Sequence, residues 1–391
     1  MKIFFVSRKY SVAPLGIMYL SASLKGHETW YFDNLAELYD YHRFFNPDYV
    51  CYSVMAGDNG ELQSWDRYLR YHGLKHKTVW GGNHVTFSPE EFDGFVIRGE
   101  GEHALCALLE GKQSDEIHYI DDLDGLPFPD RKIIKEGKIK HFITSRGCPF
   151  SCTYCFNEKW AELHKKKRIR QRSVDNVIKE IKEVNPEFAY FQDDIFGLNK
   201  EWLGEFSKQI NIPYHCHTRA EVVDELYAAR LKKSGCVSVH IALESVNQLD
   251  VLGRKKAPIY EACKILKQSG IKIMLQNIIG IPGGTIHDDL ETLKANMDIQ
   301  PEYSWVSIFQ PYPGTVLGDR CIEEKLCDTK DITPTFFDGS ILNFDETYKN
   351  RLRVLQKTWA SLVDGNYDPL LDKIYRNMRN LGDERLYGFK P

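Results

Sequence analysis

The sequence predicts an α/β protein built in two parts. The first is a flavodoxin-like (Rossmann-type) domain; the second is a (β/α)6 partial TIM barrel carrying a helical C-terminal extension. Three observations predict this. Short apolar runs alternate with helical stretches over residues 2–111, which is the signature of a parallel sheet. A charged segment with Pro127 and Pro129 close together then interrupts the alternation. Finally, six further strand–helix repeats follow, and an eight-fold barrel would need more chain. The expected division is 1–115 for the first domain, 116–140 for a linker, 141–315 for the barrel and 316–391 for the extension.

In the first domain, KIFFV (2–6) leads into a helix from Leu15 to Leu24 that Gly26 ends. Further strands are expected at TWYF (29–32), DYVCYSV (48–54), KTVW (77–80) and DGFVIR (93–98), with helices at 35–45, 59–73 and 102–111. Sheets of this kind bind ligands beyond the carboxyl ends of their strands. Those ends carry SRKYSVAPLG (7–16), MAGDNG (55–60), GGNHVTFSPEE (81–91) and GEGE (99–102). In the barrel, strands are expected at HFITS (141–145), FAYFQ (188–192), YHCHT (214–218), VSVHIAL (237–243), IKIMLQNIIG (271–280) and YSWVSIFQ (303–310). Val174, Val177, Ile178, Ile181 and Val184 mark one amphipathic helix between them, and Leu352, Leu355, Trp359 and Leu362 mark an apolar stripe in the extension.

Composition excludes several classes. A net charge of −4 argues against a general nucleic-acid or membrane-surface binder. No apolar run is long enough to span a bilayer, so a cytoplasmic protein is expected. KKKRIRQR (165–172) lacks interleaved aromatics and reads as a solvated face. Lys349, Arg351, Arg353, Lys357, Arg376 and Arg379 read as ordinary helix surface. Of the ten cysteines, Cys51, Cys106, Cys216, Cys236 and Cys263 read as small buried hydrophobes.

The stretch SRGCPFSCTYCFNEKW (145–160) is different. It places Cys148, Cys152 and Cys155 in the loop after the first barrel strand, at the end where such barrels keep their active sites. Thiolates at this spacing hold three corners of an iron–sulfur cubane, with one iron left open. Structural zinc normally takes four protein ligands. A Cys3His zinc site with a remote histidine, or three plain buried thiols, are the alternatives.

CPFSCTYC resembles the CxxxCxΦC signature of radical S-adenosylmethionine (SAM) enzymes, with Tyr154 at the aromatic position. The resemblance implies a [4Fe–4S] cluster on the three cysteines whose open iron chelates SAM. Cleavage of SAM there yields methionine and a 5′-deoxyadenosyl radical. FQDDIF (191–196) is similar to the family segment that contacts the SAM amino group, implicating Gln192, Asp193 and Asp194. CHTRAE (216–221) resembles the segment whose arginine, here Arg219, pairs with the SAM carboxylate. ALESVN (242–247) looks like the ribose-binding stretch, implicating Glu244 and Ser245. IIGIPGGT (278–285) is similar to the adenine-side segment, implicating Ile279, Gly280 and Pro282. It departs from the family at Gly284, where glutamate is common, which puts the helix-capping role of that position in doubt.

A flavodoxin-like domain placed ahead of such a barrel resembles the cobalamin-binding subgroup, and motif order carries this over about 315 residues. PLGIMYLSASLKGHE (14–28), GGNHVTFSPEEF (81–92) and VIRGEGE (96–102) are similar to recurrent segments of that subgroup. They implicate Leu15, Gly16, Gly81, Gly82, His84, Val85, Gly99, Glu100 and Gly101 in holding cobalamin, with Met55 as a neighbour of the lower face or a core residue. The other reading is a sheet domain that has lost its ligand and serves as a lid. Asp40 and His42 begin like the Asp-x-His-x-x-Gly of base-off cobalamin proteins, but the glycine is missing and the stretch is helical, so His42 reads as surface. His215 and His217 share a strand face by period two and read as lining the barrel.

The resemblance implies a cobalamin-dependent radical SAM C-methyltransferase that uses methylcobalamin. Its electron donor would be a ferredoxin or flavodoxin. Its substrate would be a protein, peptide or small molecule; the compact size is similar to members that methylate protein side chains, such as a glutamine of methyl-coenzyme M reductase. A radical SAM cyclase or rearrangement enzyme without methyl transfer is the alternative, and a non-enzymatic iron–sulfur or zinc protein is a third reading.

Overall fold

Apolar runs bounded by glycine and asparagine turns become a parallel sheet in the first unit. Its elements are β1 (Lys2–Val6), α1 (Leu15–Ser23), β2 (Glu28–Phe32), α2 (Leu35–Phe45), β3 (Tyr49–Ser53), α3 (Asn59–Tyr71), β4 (Lys77–Gly81), α4 (Asn83–Phe87) and β5 (Phe95–Val96). The strand order is β2-β1-β3-β4-β5. The order reverses at β1 and β3, so a crevice opens beyond their carboxyl ends. Helix boundaries follow local chemistry: Asn34 caps α2 by accepting from the Glu37 amide, and Asn46 ends it at φ 48°. The computed structural model describes residues 1–164, 169–327 and 339–363.

The strand expected over 93–98 is split. Phe95–Val96 pairs with β4, while β6 (Arg98–Gly99) pairs with β7 (Ile117–His118). Gly99 makes this possible: at φ +90°, a Cβ there would stand 2.2 Å from the His118 carbonyl oxygen. Helix α5 (Gly101–Leu109) follows β6. The charged segment beyond it packs closely despite its composition. Ile120, Leu123 and Leu126 are buried against Leu15, Met18 and Tyr19 of α1, and Asp130 accepts a hydrogen bond from Ser21.

The second unit contains β8 (Ile139–Phe142), β9 (Ser145–Arg146), α6 (Phe156–His164), β10 (Arg170–Gln171), α7 (Val174–Val184), β11 (Phe188–Phe191), α8 (Lys200–Gln209), β12 (Tyr214–Thr218), α9 (Glu225–Lys233), β13 (Cys236–Glu244), α10 (Ile259–Gln268), β14 (Lys272–Ile279), α11 (Ile286–Ile299) and β15 (Tyr303–Ile308). Strands β8, β11, β12, β13, β14 and β15 lie side by side in chain order, all parallel, which makes the six-stranded partial barrel. The apolar faces of its helices close on the sheet from outside in one continuous core.

Two helices complete the described chain, α12 (Val316–Glu323) and α13 (Glu346–Leu362). Helix α13 lays Tyr348, Leu352, Leu355 and Trp359 on Ile279, Val306 and Ile308 of the barrel. The expected stripe is corrected at its end. Leu362 is 42% exposed, and Val363, four residues after Trp359, takes the buried place. Arg376 and Arg379 lie outside the described residues. No described helix is long and apolar enough to cross a membrane.

Candidate active site: a three-cysteine loop between two cavities

The cysteine loop is fixed before any cofactor is considered. At its entry, the Asp193 carboxylate accepts from the Thr144 amide (3.0 and 3.1 Å), the Thr144 hydroxyl (2.6 Å) and the Ser145 hydroxyl (2.6 Å). Burial raises the Asp193 carboxyl to about 6, against these bonds. Asp193 therefore holds the loop instead of facing a ligand, which corrects its expected contact with SAM. Midway, the Thr153 amide donates to Leu252 O (3.1 Å) and its hydroxyl to Val251 O (2.7 Å), while the Leu317 amide donates to Thr153 O (2.7 Å). Gly253, at φ +62°, lets the chain come this close: a Cβ would lie 2.8 Å from Thr153 Cγ2.

Cys152 is buried, and Cys148 and Cys155 are half-buried. Burial pushes the Cys148 thiol up to about 11 and the Cys155 thiol to about 12, so both are protonated at neutral pH until a metal displaces the proton. Three sulfur donors on one tethered loop, with the other cysteines placed in the cores and helices, fit a cluster held at three corners. Arg219 Nη1 donates to Cys152 Sγ at 3.1 Å, its guanidinium lies 3.8 Å over Phe150, and Glu221 pairs with it at 2.6 Å. Gln192 donates to Ala13 O of the first unit (3.0 Å), and Asp194 is exposed and accepts from Asn157 (2.9 Å).

On the barrel side, a cavity is lined by Tyr154, Glu244 and the ends of β14 and β15. Glu244 sits at φ 64°, where the β13–β14 register shifts. Strain of this kind at a non-glycine residue is held by its surroundings: the Tyr154 hydroxyl donates to its carboxylate at 2.8 Å and Arg254 pairs with it at 3.3 Å. Burial raises the Glu244 carboxyl, and Arg254 opposes that shift. Gln276, Trp305, Ser307, Gln310 and Tyr312 also line this cavity and escaped the sequence reading. For Gln276, Trp305 and Ser307 the signal was period-two alternation on β14 and β15, visible only once the inward face is known, whereas Gln310 and Tyr312 lie beyond the end of β15.

Several expected SAM contacts have structural work. Ser245 is buried and accepts from the Gln248 amide (3.3 Å). Ile279 belongs to the core under α13. Gly280, at φ +68°, leaves room for Leu352, 2.8 Å from where its Cβ would be, and its amide donates to Asp289 (3.1 Å). Pro282 is buried. The cap of α11 is Thr285, whose amide and hydroxyl donate to Asp288 (2.9 and 2.8 Å), so Gly284 has no capping role.

The crevice of the first unit is a largely apolar cavity open to solvent. Leu15, Gly16, Gly81, Gly82, Glu100 and Gly101 line it with Gly99, and Ile143, Arg146 and Trp160 close it from the barrel side. A Cβ at Gly16 would meet nothing within 4 Å, and one at Gly81 only Ile97 O at 3.8 Å. Side chains there would occupy ligand space, so the cradle fits a large, mostly apolar cofactor. Three expected contacts are corrected. Val85 is a core residue, His84 is buried against Glu91 (3.1 Å), and Met55 is 48% exposed, outside both core and cavity lining. His42 is corrected too. It is buried on α2, 2.9 Å from His76, because it continues the inward face of Leu38 by one helical turn.

Charge joins the two sides. Arg146, two residues before Cys148, donates to Glu100 (2.9 Å) and Glu102 (2.5 Å). Arg170 also donates to Glu100 (2.6 Å) and stacks over Tyr119, while Arg172 is buried beside Glu180 (2.6 Å). The solvated-face reading of 165–172 is thus wrong for these two arginines, and 165–168 lie outside the described residues. Phe87 stacks on Phe156 at 5.2 Å, an aromatic contact across the same boundary.

Residues 142–295 match the family model of the radical SAM superfamily, and residues 1–109 that of the B12 binding domain. The chain is 27% identical to an uncharacterized methyltransferase of Pyrococcus horikoshii, over 80% of this chain and 79% of that protein. It is 25% identical to an anaerobic magnesium-protoporphyrin IX monomethyl ester cyclase of Cereibacter sphaeroides, over 68% of this chain and 50% of the cyclase. The fold is similar to that of the radical SAM methyltransferase TsrM from Kitasatospora setae, solved with cobalamin and a [4Fe–4S] cluster bound. That likeness has a TM-score of 0.64 at 17% identity and covers 83% of this chain and 75% of TsrM.

Proposed function

We propose that the chain is a cobalamin-dependent radical SAM methyltransferase that methylates an unactivated carbon, with SAM in the barrel cavity and the corrinoid in the N-terminal crevice; the matches to the radical SAM and B12-binding models support this. The observation that carries this reading is the position of the cysteine loop, tethered between two cavities. When bound, the cluster and SAM supply a 5′-deoxyadenosyl radical that removes hydrogen from carbon, and methylcobalamin supplies the methyl group.

The protein's part is placement. Cys148, Cys152 and Cys155 hold the cluster. Arg219, already beside Cys152 Sγ, offers a guanidinium to the SAM carboxylate by exchanging its Glu221 partner. Glu244 accepts from ribose hydroxyls, and Tyr154 and Arg254 keep it oriented. Gly16 and Gly81 leave open space at the crevice wall, against which the corrin ring would lie. The substrate we propose is a protein side chain, such as a glutamine of methyl-coenzyme M reductase, and the electron donor a ferredoxin or flavodoxin.

The likeness to the cyclase favours one other reading, radical chemistry on the same cofactors without methyl transfer. Anaerobic turnover of the reconstituted enzyme separates the two. Methyl transfer yields S-adenosylhomocysteine together with 5′-deoxyadenosine, and deoxyadenosine alone would reject our reading. Cys152→Ala should abolish both products.

A further inference from the structure

One layer below Arg219, the barrel interior holds imidazoles for which methyl transfer has no use. His215 and His217 alternate on β12, and His240 on β13 pairs in register with His217. Ring nitrogens of the three lie within 4.8 Å of one another. His215 Nε2 is 3.2 Å from His240 Nδ1. The ring centres are 4.8 Å apart for His215–His240, 5.0 Å for His217–His240 and 6.3 Å for His215–His217. Imidazoles on one tetrahedral zinc, with Zn–N of about 2.0–2.1 Å, place their nitrogens about 3.3 Å and their ring centres about 5 Å apart. Two of the three pairs already have that spacing, and the third must close by about 1 Å.

The outer nitrogens of His215 and His217 are held as those of metal-bound histidines are. His217 Nδ1 faces the Asp193 carbonyl at 3.1 Å. A carbonyl only accepts, so the proton is on Nδ1 and the lone pair on Nε2. Nε2 in turn meets the Tyr190 hydroxyl at 2.7 Å. His215 Nδ1 contacts Ser238 Oγ at 2.7 Å, which turns its Nε2 toward His240.

We propose that His215, His217 and His240 bind one zinc ion. The ion ties β12, the strand that leads to Arg219, to β13, the strand that ends in Glu244. The proposal stands apart from methyl transfer, since it uses neither the cysteines nor the corrinoid crevice.

The test is the zinc content and Zn K-edge absorption of the wild-type full chain with its cluster reconstituted, beside the full chain carrying Cys148→Ala, Cys152→Ala and Cys155→Ala. The expected result in both is one zinc per chain, with a nitrogen and oxygen shell at about 2.0–2.1 Å and no sulfur near 2.3 Å. His217→Ala and His240→Ala, checked for folding by circular dichroism, should each weaken zinc binding more than the roughly 10–100-fold of an outer-shell change such as Ser238→Ala. Wild-type protein without stoichiometric zinc overturns the proposal. A sulfur-containing shell does so too, as does unchanged affinity in a folded histidine variant. If neither histidine variant folds, the wild-type spectrum decides alone.

Discussion

Arg146→Met tests whether buried charge registers the crevice of the first unit against the cysteine loop. The guanidinium side chain is 16% exposed, and its partners Glu100 and Glu102 are 11% and 5% exposed. Glu100 keeps Arg170 at 2.6 Å and the Ile120 amide at 2.6 Å after the change. Glu102 loses the cation that compensates it. Removing one side of a buried ion pair costs about 3–5 kcal/mol, and methionine keeps most of the apolar stem, so the cavity term is small. We therefore expect a loss of about 3 kcal/mol in urea unfolding, at the lower end because Arg146 retains some solvent contact. Adding Glu102→Gln to the variant removes the orphaned charge and should recover about 2 kcal/mol of that loss. Corrinoid affinity, read by absorbance titration, should fall about tenfold in the single variant, or 1.4 kcal/mol, as Glu100 and Gly101 shift at the cavity wall. A single variant within about 0.5 kcal/mol of wild type, or a double variant no more stable than the single, would refute the reasoning.

Other outcomes follow from the same geometry. Trp359→Ala empties the contact between α13 and the barrel and removes the indole donor to Ser304 (2.7 Å); urea unfolding should show a loss of about 3–5 kcal/mol, and a smaller effect would mean that α13 is not part of the barrel core. Gly16→Val projects a side chain into open cavity space, so corrinoid binding should be lost while the circular dichroism spectrum is kept; retained binding would place the corrinoid elsewhere. His141 is lowered to about 3 by burial and by the charges of Arg131 and Lys140. A depressed histidine contributes stability that is complete above its unfolded value near 6.5 and lost as pH falls toward 3. His141→Gln should therefore gain on wild type by up to about 1.4 kcal/mol per pH unit as pH is lowered from 6.5 to 4, whereas parallel stability curves would show that the ring is protonated in the native state.

The strands were legible because a parallel sheet buried on both faces writes itself as short apolar runs, and YHCHT (214–218) forms a strand over those very residues. The cysteine loop was legible because three thiols seldom fall within eight positions except to share one metal centre. What escaped was set by long-range partners. Asp193 and Asp194 are adjacent and chemically alike, yet one is buried under Thr144 and Ser145 and the other is exposed. Met55 and His42 exchanged expected places, since exposure depends on which side of a turn or helix meets the sheet. Arg170 and Arg172 read as solvated in a basic run because their carboxylate partners, Glu100 and Glu180, lie 70 and 8 residues away. His240 went unnoticed for the same reason: its relation to His215 and His217 exists only in the register between β12 and β13.

These ties have a common consequence. The loop that carries the cysteines is bonded to the turn after β11 through Asp193, to the first unit through Arg146 and to the turn after β13 through Thr153. Each tie comes from a different part of the fold, so no single rotation of the loop relaxes all three. A cofactor gripped by the loop is thus fixed relative to both cavities at once, and catalysis by positioning needs that, because a displacement of about 1 Å at the reacting atoms can cost about 100-fold in rate. The tie to the first unit is the one that crosses between units. Weakening it should leave cluster assembly intact while uncoupling SAM cleavage from methyl transfer. In Arg146→Met, 5′-deoxyadenosine would then form in excess over S-adenosylhomocysteine, a ratio that simple loss of folding would not change.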